Sequence, residues 1–230
     1  MHIETLFLDA GGVLVHPNWH RVSMALREQG VSVAAEVLAA AEPHAKRELD
    51  SPEGITAGDD AARGWRYFNL VLQHAGVPLS EATDRGLRQL REYHARENLW
   101  ETVAADAFPS LVRFREAGLR LVVVSNANGR LGYVLDRLGL SPHFEHALDS
   151  HEVGFEKPDP RLFEVALARA EARPETTLHV GDFYHVDVVG ARAAGLHAML
   201  LDAAGLQGDR DCTRVASLTA LADRLTAGAL

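Results

Sequence analysis

The sequence predicts an α/β fold in which a doubly wound parallel sheet, a Rossmann-like core, carries a small all-helical cap domain inserted after its first strand. Short apolar runs alternate with helical patterns through the second half of the chain. This alternation is typical of a parallel sheet that helices cover on both faces. Between the first apolar run and that region lies a long stretch with helical periodicity only. A connection of that length is rarely structureless, so it is interpreted as a small domain.

Each predicted strand is an apolar run that ends at glycine or at a polar residue. The predicted strands cover residues 3–8, 121–124, 147–148, 178–180 and 197–201. Helical periodicity, in most cases ended by a glycine, predicts the elements between and after them. These helices cover residues 108–116, 128–138, 159–171, 186–194 and 218–225.

The insert is predicted to hold four or five helices, separated at Gly30, Gly54 and Gly76, with Ser80 as the N-cap of the last one. The predicted core covers residues 1–15 and 99–230, and the predicted cap covers residues 16–98. Ligands of such sheets bind at the carboxyl ends of the strands. Because the insert follows the first strand at that end, we expect it to lie over the site.

Composition excludes several classes of protein. The 230 residues carry a formal net charge of -9, which argues against nonspecific binding to nucleic acid or to an anionic membrane. No apolar run approaches the ~20 residues of a membrane helix, and the first residues do not resemble a signal peptide. The single cysteine, Cys212, excludes an intrachain disulfide and a zinc site of several thiolates. A cytoplasmic location is therefore predicted, and the oligomeric state is left open.

Polar residues follow three of the predicted strands. Asp9 follows the first strand, Ser125 and Asn126 the second, and Asp182 the fourth. Asp9 and Asp182 could hold a divalent cation through hard oxygen ligands, which suits Mg²⁺. Ser125 and Asn126 offer a hydroxyl and an amide to an oxyanion, and Lys157 adds a positive charge. Asp9 lies on a glycine turn, where it could act as a carboxylate nucleophile.

Four motifs, in this order, resemble those of the haloacid-dehalogenase-like (HAD) hydrolase superfamily, in its branch with a helical cap. They are LFLDAGGVL at residues 6–14, VSNA at 124–127, KPDP at 157–160 and GDFYHVD at 181–187. Any one motif is weak, but the ordered set is specific and covers essentially the whole chain. The helical insert corresponds to the cap of that family.

The resemblance implies a Mg²⁺-dependent phosphohydrolase of small phosphorylated compounds. Asp9 would attack the phosphoryl group and form an aspartyl-phosphate, which water then hydrolyses. Mg²⁺ would bind Asp9, Asp182 and the backbone carbonyl of Gly11. Lys157 would neutralise Asp9 and the transferring group, and Asp187 would support the metal or Lys157 from behind.

The same resemblance implies a site for the phosphate oxygens. Ser125 and Asn126, together with the backbone of Ala10 and Gly11, would bind them. A carboxylate cannot approach an anionic phosphate unless the repulsion is neutralised, and the metal ion and the lysine would do this.

Gly11 departs from the pattern of the family. Its phosphatases usually carry a second aspartate at this position, which protonates the leaving oxygen and then activates the water. Glycine keeps the carbonyl that would bind the metal but lacks the proton donor. Loss of a positioned general acid costs about 10²–10⁴-fold in rate.

Three hypotheses follow. The first is a phosphohydrolase that is slow or limited to good leaving groups such as acyl or aryl phosphates; alternatively, His16, His20 or His185 could substitute as the acid. The second is a non-catalytic protein that binds a phosphorylated ligand or a partner. The third is a 2-haloacid dehalogenase, because halide leaves unprotonated. The Gly181–Asp182 pair, which that branch typically lacks, favours the phosphoryl hypotheses.

Overall fold

The computed structural model of the protein describes residues 2–51 and 60–227. The chain divides into two compact units, one formed by Met1–His16 with Val103–Leu230 and the other by Pro17–Thr102. They are called the core and the helical insert below. The sequence places the corresponding boundaries after residues 15 and 98, so the two divisions differ mainly in where they assign residues 99–102. The predicted break at Gly54 lies outside the described residues.

The core contains a six-stranded sheet in the order β5-β4-β1-β6-β7-β8. All five pairings are parallel, which confirms the predicted fold class. The strands within the described residues are β1 (Thr5–Leu8), β2 (Val15–Pro17), β3 (Trp100–Val103), β4 (Arg120–Ser125), β5 (His146–Asp149), β6 (Thr177–Gly181), β7 (His197–Leu201) and β8 (Thr213–Val215). β2 and β3 form a separate two-stranded sheet.

Helices make up most of the remaining described chain. They are α1 (Trp19–Glu28), α2 (Ala35–Leu49), α3 (Asp60–His74), α4 (Glu81–Glu97), α5 (Ala107–Glu116), α6 (Leu131–Arg137), α7 (Ser150–Val153), α8 (Pro160–Arg169), α9 (Val189–Ala193) and α10 (Leu218–Thr226). Short 3₁₀ turns cover Ser141–His143 and Pro174–Thr176, and a π-helical turn covers Tyr184–Val188. Among the helices of residues 2–51 and 60–227, none is long and apolar enough to cross a lipid bilayer.

The central strands are uniformly apolar because both of their faces are covered. Every residue of β1 is buried. On one face of the sheet, Phe7 of β1 and Val122 of β4 pack in one cluster with Phe163 of α8, and all three side chains are fully buried. Each such side chain contributes about 1.5–3 kcal/mol of hydrophobic stabilisation. β1 lies between β4 and β6, so the residue that follows it stands at the middle of the sheet edge.

The helical insert contains α1 to α4, and its last helix begins as predicted. The Ser80 hydroxyl accepts a hydrogen bond from the Thr83 amide, and the Thr83 hydroxyl accepts one from the Ser80 amide. This capping box satisfies two of the amides that a helix start leaves unpaired.

Glu101, on β3, joins three segments of the insert. Its Oε1 accepts hydrogen bonds from Asn18 Nδ2 at 3.0 Å and Arg21 Nε at 2.8 Å. Its Oε2 accepts one from the hydroxyl of Tyr93, on α4, at 2.8 Å. Burial alone would raise the pKa of Glu101, but these hydrogen bonds offset it and hold the pKa below its usual value. The carboxylate therefore links α1, α4 and β3 in its ionised form.

Candidate active site

Three buried carboxylates meet at the carboxyl end of the central strands. One side-chain oxygen from each of Asp9, Asp182 and Asp187 lies within 4.8 Å of the others. Asp9 follows β1 and Asp182 follows β6, and these strands are paired in register with Leu8 opposite Val180. The Asp9 amide continues the ladder by donating to the Val180 carbonyl at 3.0 Å. The parallel pairing thus brings residues from distant parts of the sequence to one edge.

Lys157 lies at the centre of this cluster and is buried. Its Nζ is 2.7 Å from Asp187 Oδ1 and 3.0 Å from Asp9 Oδ1, and it donates to the Val124 carbonyl at 2.9 Å. An ammonium group has three donors, so these three contacts match its full capacity. The lysine therefore holds the Asp9 carboxylate in a fixed position.

The charges in this cluster stabilise one another. Burial alone would lower the pKa of Lys157, but the carboxylates of Asp187 and Asp9 outweigh it and raise the pKa above its usual value. Burial would raise the pKa of Asp187, but the charge of Lys157 outweighs it and lowers the pKa. Lys157 is therefore a cation in the neutral pH range, and its charge stabilises the neighbouring carboxylates.

The turn after β1 directs Asp9. The Ala10 amide donates to Asp9 Oδ1 at 2.7 Å, and the Ala10 carbonyl accepts from the amides of Leu14 and Val15 at 2.9 Å. Gly12 has a φ of 77°, which glycine adopts without strain. The family resemblance implies that the Ala10 backbone binds phosphate, which stays a prediction; in the structure the Ala10 amide donates to Asp9. Two donors thus fix Oδ1 of Asp9.

Asn126 has a different contact from the predicted one. Its Nδ2 donates to the Lys157 carbonyl at 3.0 Å, and its Oδ1 accepts from the Lys157 amide at 2.7 Å. Both polar atoms of the side chain thus bind the backbone of the loop that carries Lys157. These contacts give Asn126 a role in holding the lysine loop, and its binding to an oxyanion stays a prediction. Ser125, the last residue of β4, is buried beside it.

Asp187 is held on both of its oxygens. Oδ1 lies 2.7 Å from Lys157 Nζ and 2.9 Å from His179 Nε2, and Oδ2 accepts from the Phe183 amide at 3.0 Å. Asp187 lies on the π-helical turn, a rare geometry that is frequent at functional sites. These contacts favour support of Lys157 over an ordinary surface position at a helix start.

Gly181 makes room for this carboxylate. A Cβ at residue 181 would lie 2.0 Å from Asp187 Cγ, much closer than two carbon atoms can approach. Any larger residue at the end of β6 would therefore displace Asp187 or the strand.

His179 is a residue of this cluster that the sequence analysis did not single out. It is fully buried on β6, and its ring meets that of Phe163 edge to face with centroids 4.9 Å apart. Burial, the largest influence, lowers its pKa, so the imidazole is neutral near pH 7. The sequence feature that points to His179 is a histidine inside an otherwise apolar strand pattern. A buried imidazole needs a polar partner, so such a position indicates a contact with another polar side chain.

The donor set fits a divalent metal ion. Three carboxylates against one lysine leave two uncompensated negative charges in a buried space, and carboxylate oxygens are the ligands that hard cations prefer. The acidic triad could therefore bind a divalent metal. Of the histidines considered as a substitute acid, His16 is on β2, His20 is on α1, and His185 is on the same π-helical turn as Asp187, next to Tyr184.

A family model described as "haloacid dehalogenase-like hydrolase" matches residues 3–195. The chain belongs to the haloacid dehalogenase-like hydrolase family. The match extends from before β1 to beyond α9 and thus includes every residue of the cluster described above.

HAD relatives agree with this assignment. The chain is 39% identical to mouse haloacid dehalogenase-like hydrolase domain-containing protein 3 over 64% of its own length and 59% of that protein. Its identity to the human form is 34%, over 87% of this chain and 82% of the relative. It is also 37% identical to a phosphoserine phosphatase of Thermus thermophilus over 64% of this chain and 60% of the enzyme.

A solved HAD structure supports the fold. The magnesium-bound HAD-hydrolase YfnB of Bacillus subtilis superposes with a TM-score of 0.71, at 17% identity, over 98% of this chain and 99% of that chain. At this level of identity the likeness shows the shared fold alone. The HAD fold therefore spans both units of the chain.

Proposed function

We propose that this HAD-like hydrolase is a Mg²⁺-dependent phosphohydrolase that acts on a small phosphorylated compound through an aspartyl-phosphate at Asp9. The observation that carries the proposal is the contact of Asp9 with Lys157 inside a cluster of three buried carboxylates. The relative named as a phosphoserine phosphatase supports this class of reaction.

In the first step, Oδ2 of Asp9 attacks phosphorus while the bond to the leaving oxygen breaks. Lys157 and the Ala10 amide hold Oδ1, so we assign the attack to the other oxygen. Lys157 also reduces the repulsion between the carboxylate and the phosphoryl oxygens. Prepositioned charge of this kind is usually the largest contribution to catalysis.

Mg²⁺ would be held by Asp9, Asp182 and the backbone carbonyl of Gly11. Bound there, it would supply the remaining positive charge and polarise a phosphoryl oxygen. Asp187 has both oxygens occupied by Lys157, His179 and the Phe183 amide, so we assign it to the support of the lysine. Ser125 would donate its hydroxyl to a phosphoryl oxygen, and Asn126 would hold the lysine loop.

Gly11 determines which substrates can react. Without an acid at this position, the leaving oxygen departs as an anion or takes its proton from solvent, which favours acyl and aryl phosphates. In the second step water attacks the phosphorus of the aspartyl-phosphate, which releases inorganic phosphate and restores the Asp9 carboxylate. The missing general acid and base lowers the rate of both steps, and each positioned group is worth about 10²–10⁴-fold.

The same glycine favours a second candidate. A chain that keeps the charged cluster but lacks the proton donor could bind a phosphorylated ligand or a partner protein without turnover. The two candidates share the site and differ in whether Asp9 forms a covalent bond.

The deciding experiment measures phosphate release from acetyl phosphate and p-nitrophenyl phosphate, with Mg²⁺ and with a chelator. We expect Mg²⁺-dependent release that Asp9→Asn abolishes, because the amide is a far poorer nucleophile than the carboxylate. Asp136→Asn, on the exposed face of α6, is the matched control and should leave the rate unchanged.

Absence of turnover with Mg²⁺ binding retained would contradict the enzyme and favour the binding protein. Halide release from a 2-haloacid without metal would instead revive the dehalogenase hypothesis.

A further inference from the structure

We propose that His179 is a positioning residue that orients Asp187 and, through it, directs the Lys157 ammonium at Asp9. The kinetic part of this inference rests on the proposed phosphohydrolase function. The structural part stands on the geometry of the core alone.

The direction of the hydrogen bond follows from the partners. Nε2 of His179 lies 2.9 Å from Asp187 Oδ1, and an ionised carboxylate can only accept. Nε2 must therefore carry the proton. Nδ1 is buried and has no hydrogen-bond partner among the described residues, so a proton there would be an unsatisfied donor. The neutral imidazole with its proton on Nε2 satisfies both conditions.

The imidazole acts on the position of the lysine. Oδ1 of Asp187 accepts from both His179 and Lys157, so the ring fixes the atom that the ammonium approaches. Without the imidazole, Lys157 would be the only remaining donor to Oδ1 of Asp187 among the described residues, and the Phe183 amide would still hold Oδ2. Rotation of the carboxylate would then shift Nζ relative to Asp9 Oδ1, which is 3.0 Å away.

The packing around His179 and Asp187 restricts the movement of both side chains. Asp187 occupies the space that a Cβ at residue 181 would fill. The Phe163 ring contacts the His179 imidazole edge to face. His179, Asp187, Lys157 and Asp9 thus form a continuous chain of contacts from the interior of β6 to the proposed nucleophile. Groups that hold a directly acting residue typically contribute 10–100-fold to activity or metal affinity.

The test compares His179→Gln, whose amide can donate from about the position of Nε2, with His179→Leu, which cannot donate. His197→Leu is the matched control, because His197 is on the neighbouring strand β7 and its Nε2 contacts the Glu175 carbonyl instead. Circular dichroism and urea unfolding would show that each variant is folded.

Two NMR measurements do not depend on enzymatic activity. The ¹⁵N shifts of the His179 ring should identify a neutral imidazole protonated on Nε2. The ¹H–¹⁵N signal of the Lys157 ammonium should shift in His179→Leu, return close to the wild-type position in His179→Gln, and stay unchanged in His197→Leu. A proton on Nδ1, or a Lys157 signal that His179→Leu does not move, would overturn the inference.

The kinetic measurement uses acetyl phosphate with Mg²⁺. We expect His179→Leu to lower kcat about 10–100-fold at unchanged KM, with most of the rate restored in His179→Gln. Equal rates in both variants would count against a positioning role. A wild-type chain without turnover would refute the proposed function, while the NMR measurements would still decide the role of His179.

Discussion

Lys157 contacts oxygen atoms from three segments of the core: Asp9 after β1, Val124 in β4 and Asp187 on the π-helical turn. Burial of a charge is costly unless the charge is paired and hydrogen-bonded. The satisfied lysine therefore ties these segments to one geometry. The contacts of Asn126 with the Lys157 backbone serve the same geometry, because they fix the loop that carries the ammonium.

At the scale of single residues, Gly11 gives a direct prediction. Gly12 has a left-handed φ, whereas Gly11 is not among the residues with positive φ, so an aspartate at position 11 is compatible with the backbone. Gly11→Asp should raise turnover of alkyl phosphates more than that of acetyl phosphate, by up to about 10²–10⁴-fold. The reason is that an alkoxide needs a proton to leave and an acyl carboxylate does not.

The measurement is the ratio of kcat/KM for an alkyl and an acyl phosphate in the two proteins. Gly11→Ala is the matched control, because it adds a Cβ without an acid. An equal effect of Gly11→Asp on both substrates would show that the leaving group does not depend on this position.

Part of this site can be predicted from the amino-acid sequence. Asp9 and Asp182 could be identified because each follows an apolar run and a parallel sheet gathers such positions at one edge. The contacts of Asn126 could not be predicted, because an amide after a strand can bind a ligand or a neighbouring loop equally well. His179 was interpreted as part of a strand, since its importance depends on a partner eight residues later.

At the scale of elements, strands that carry an apolar run were predictable, and short strands without one were not. β4 has an unbroken apolar run of valine and leucine, which favours a strand covered on both faces. β8 has three residues, of which only Val215 is buried, so it carries no apolar pattern. β2 and β3 are similarly short, and their pairing depends on residues far apart in the sequence.

Glu101 gives a prediction for the helical insert. Its folded pKa lies below the usual value of 4.5, so the unfolded chain binds a proton at higher pH than the folded one. The stability from this carboxylate is therefore full above pH 4.5 and is lost as the pH falls through the folded pKa. Glu101→Gln should lower the free energy of unfolding at pH 7, and the difference from wild type should shrink below pH 4.5.

Urea unfolding between pH 3 and pH 7 would measure this difference. Glu92→Gln, at an exposed position of the same helix α4 that carries Tyr93, is the control and should have little effect at any pH. A constant difference for Glu101→Gln across the range would mean that its ionisation does not contribute.

At the scale of the whole molecule, we expect the carboxylate cluster to couple the stability of the fold to metal binding. Without a metal ion, Lys157 compensates only one of the three negative charges, and the carboxylates within 4.8 Å repel one another. Asp182→Asn should therefore be more stable than wild type in a chelator but should lose the stabilisation by Mg²⁺. In the wild type, Mg²⁺ at about 100 times its Kd should add about 2.7 kcal/mol.

Thermal unfolding with Mg²⁺ and with a chelator would measure both effects. Asp136→Asn should follow the wild type in each condition. An equal response to Mg²⁺ in wild type and Asp182→Asn would place the cation elsewhere.

The position of β1 has a consequence for how the protein is made. β1 is synthesised first, yet its register joins Thr5 to Arg120 on one side and to Thr177 on the other. The helical insert can form its own contacts before β1 pairs with β4 and β6. Such long-range pairing is slow because large loops must close first. Asp9 meets Asp182 only after β6 has left the ribosome. A nascent chain that ends before residue 177 can therefore have a folded insert but no affinity for metal at this site.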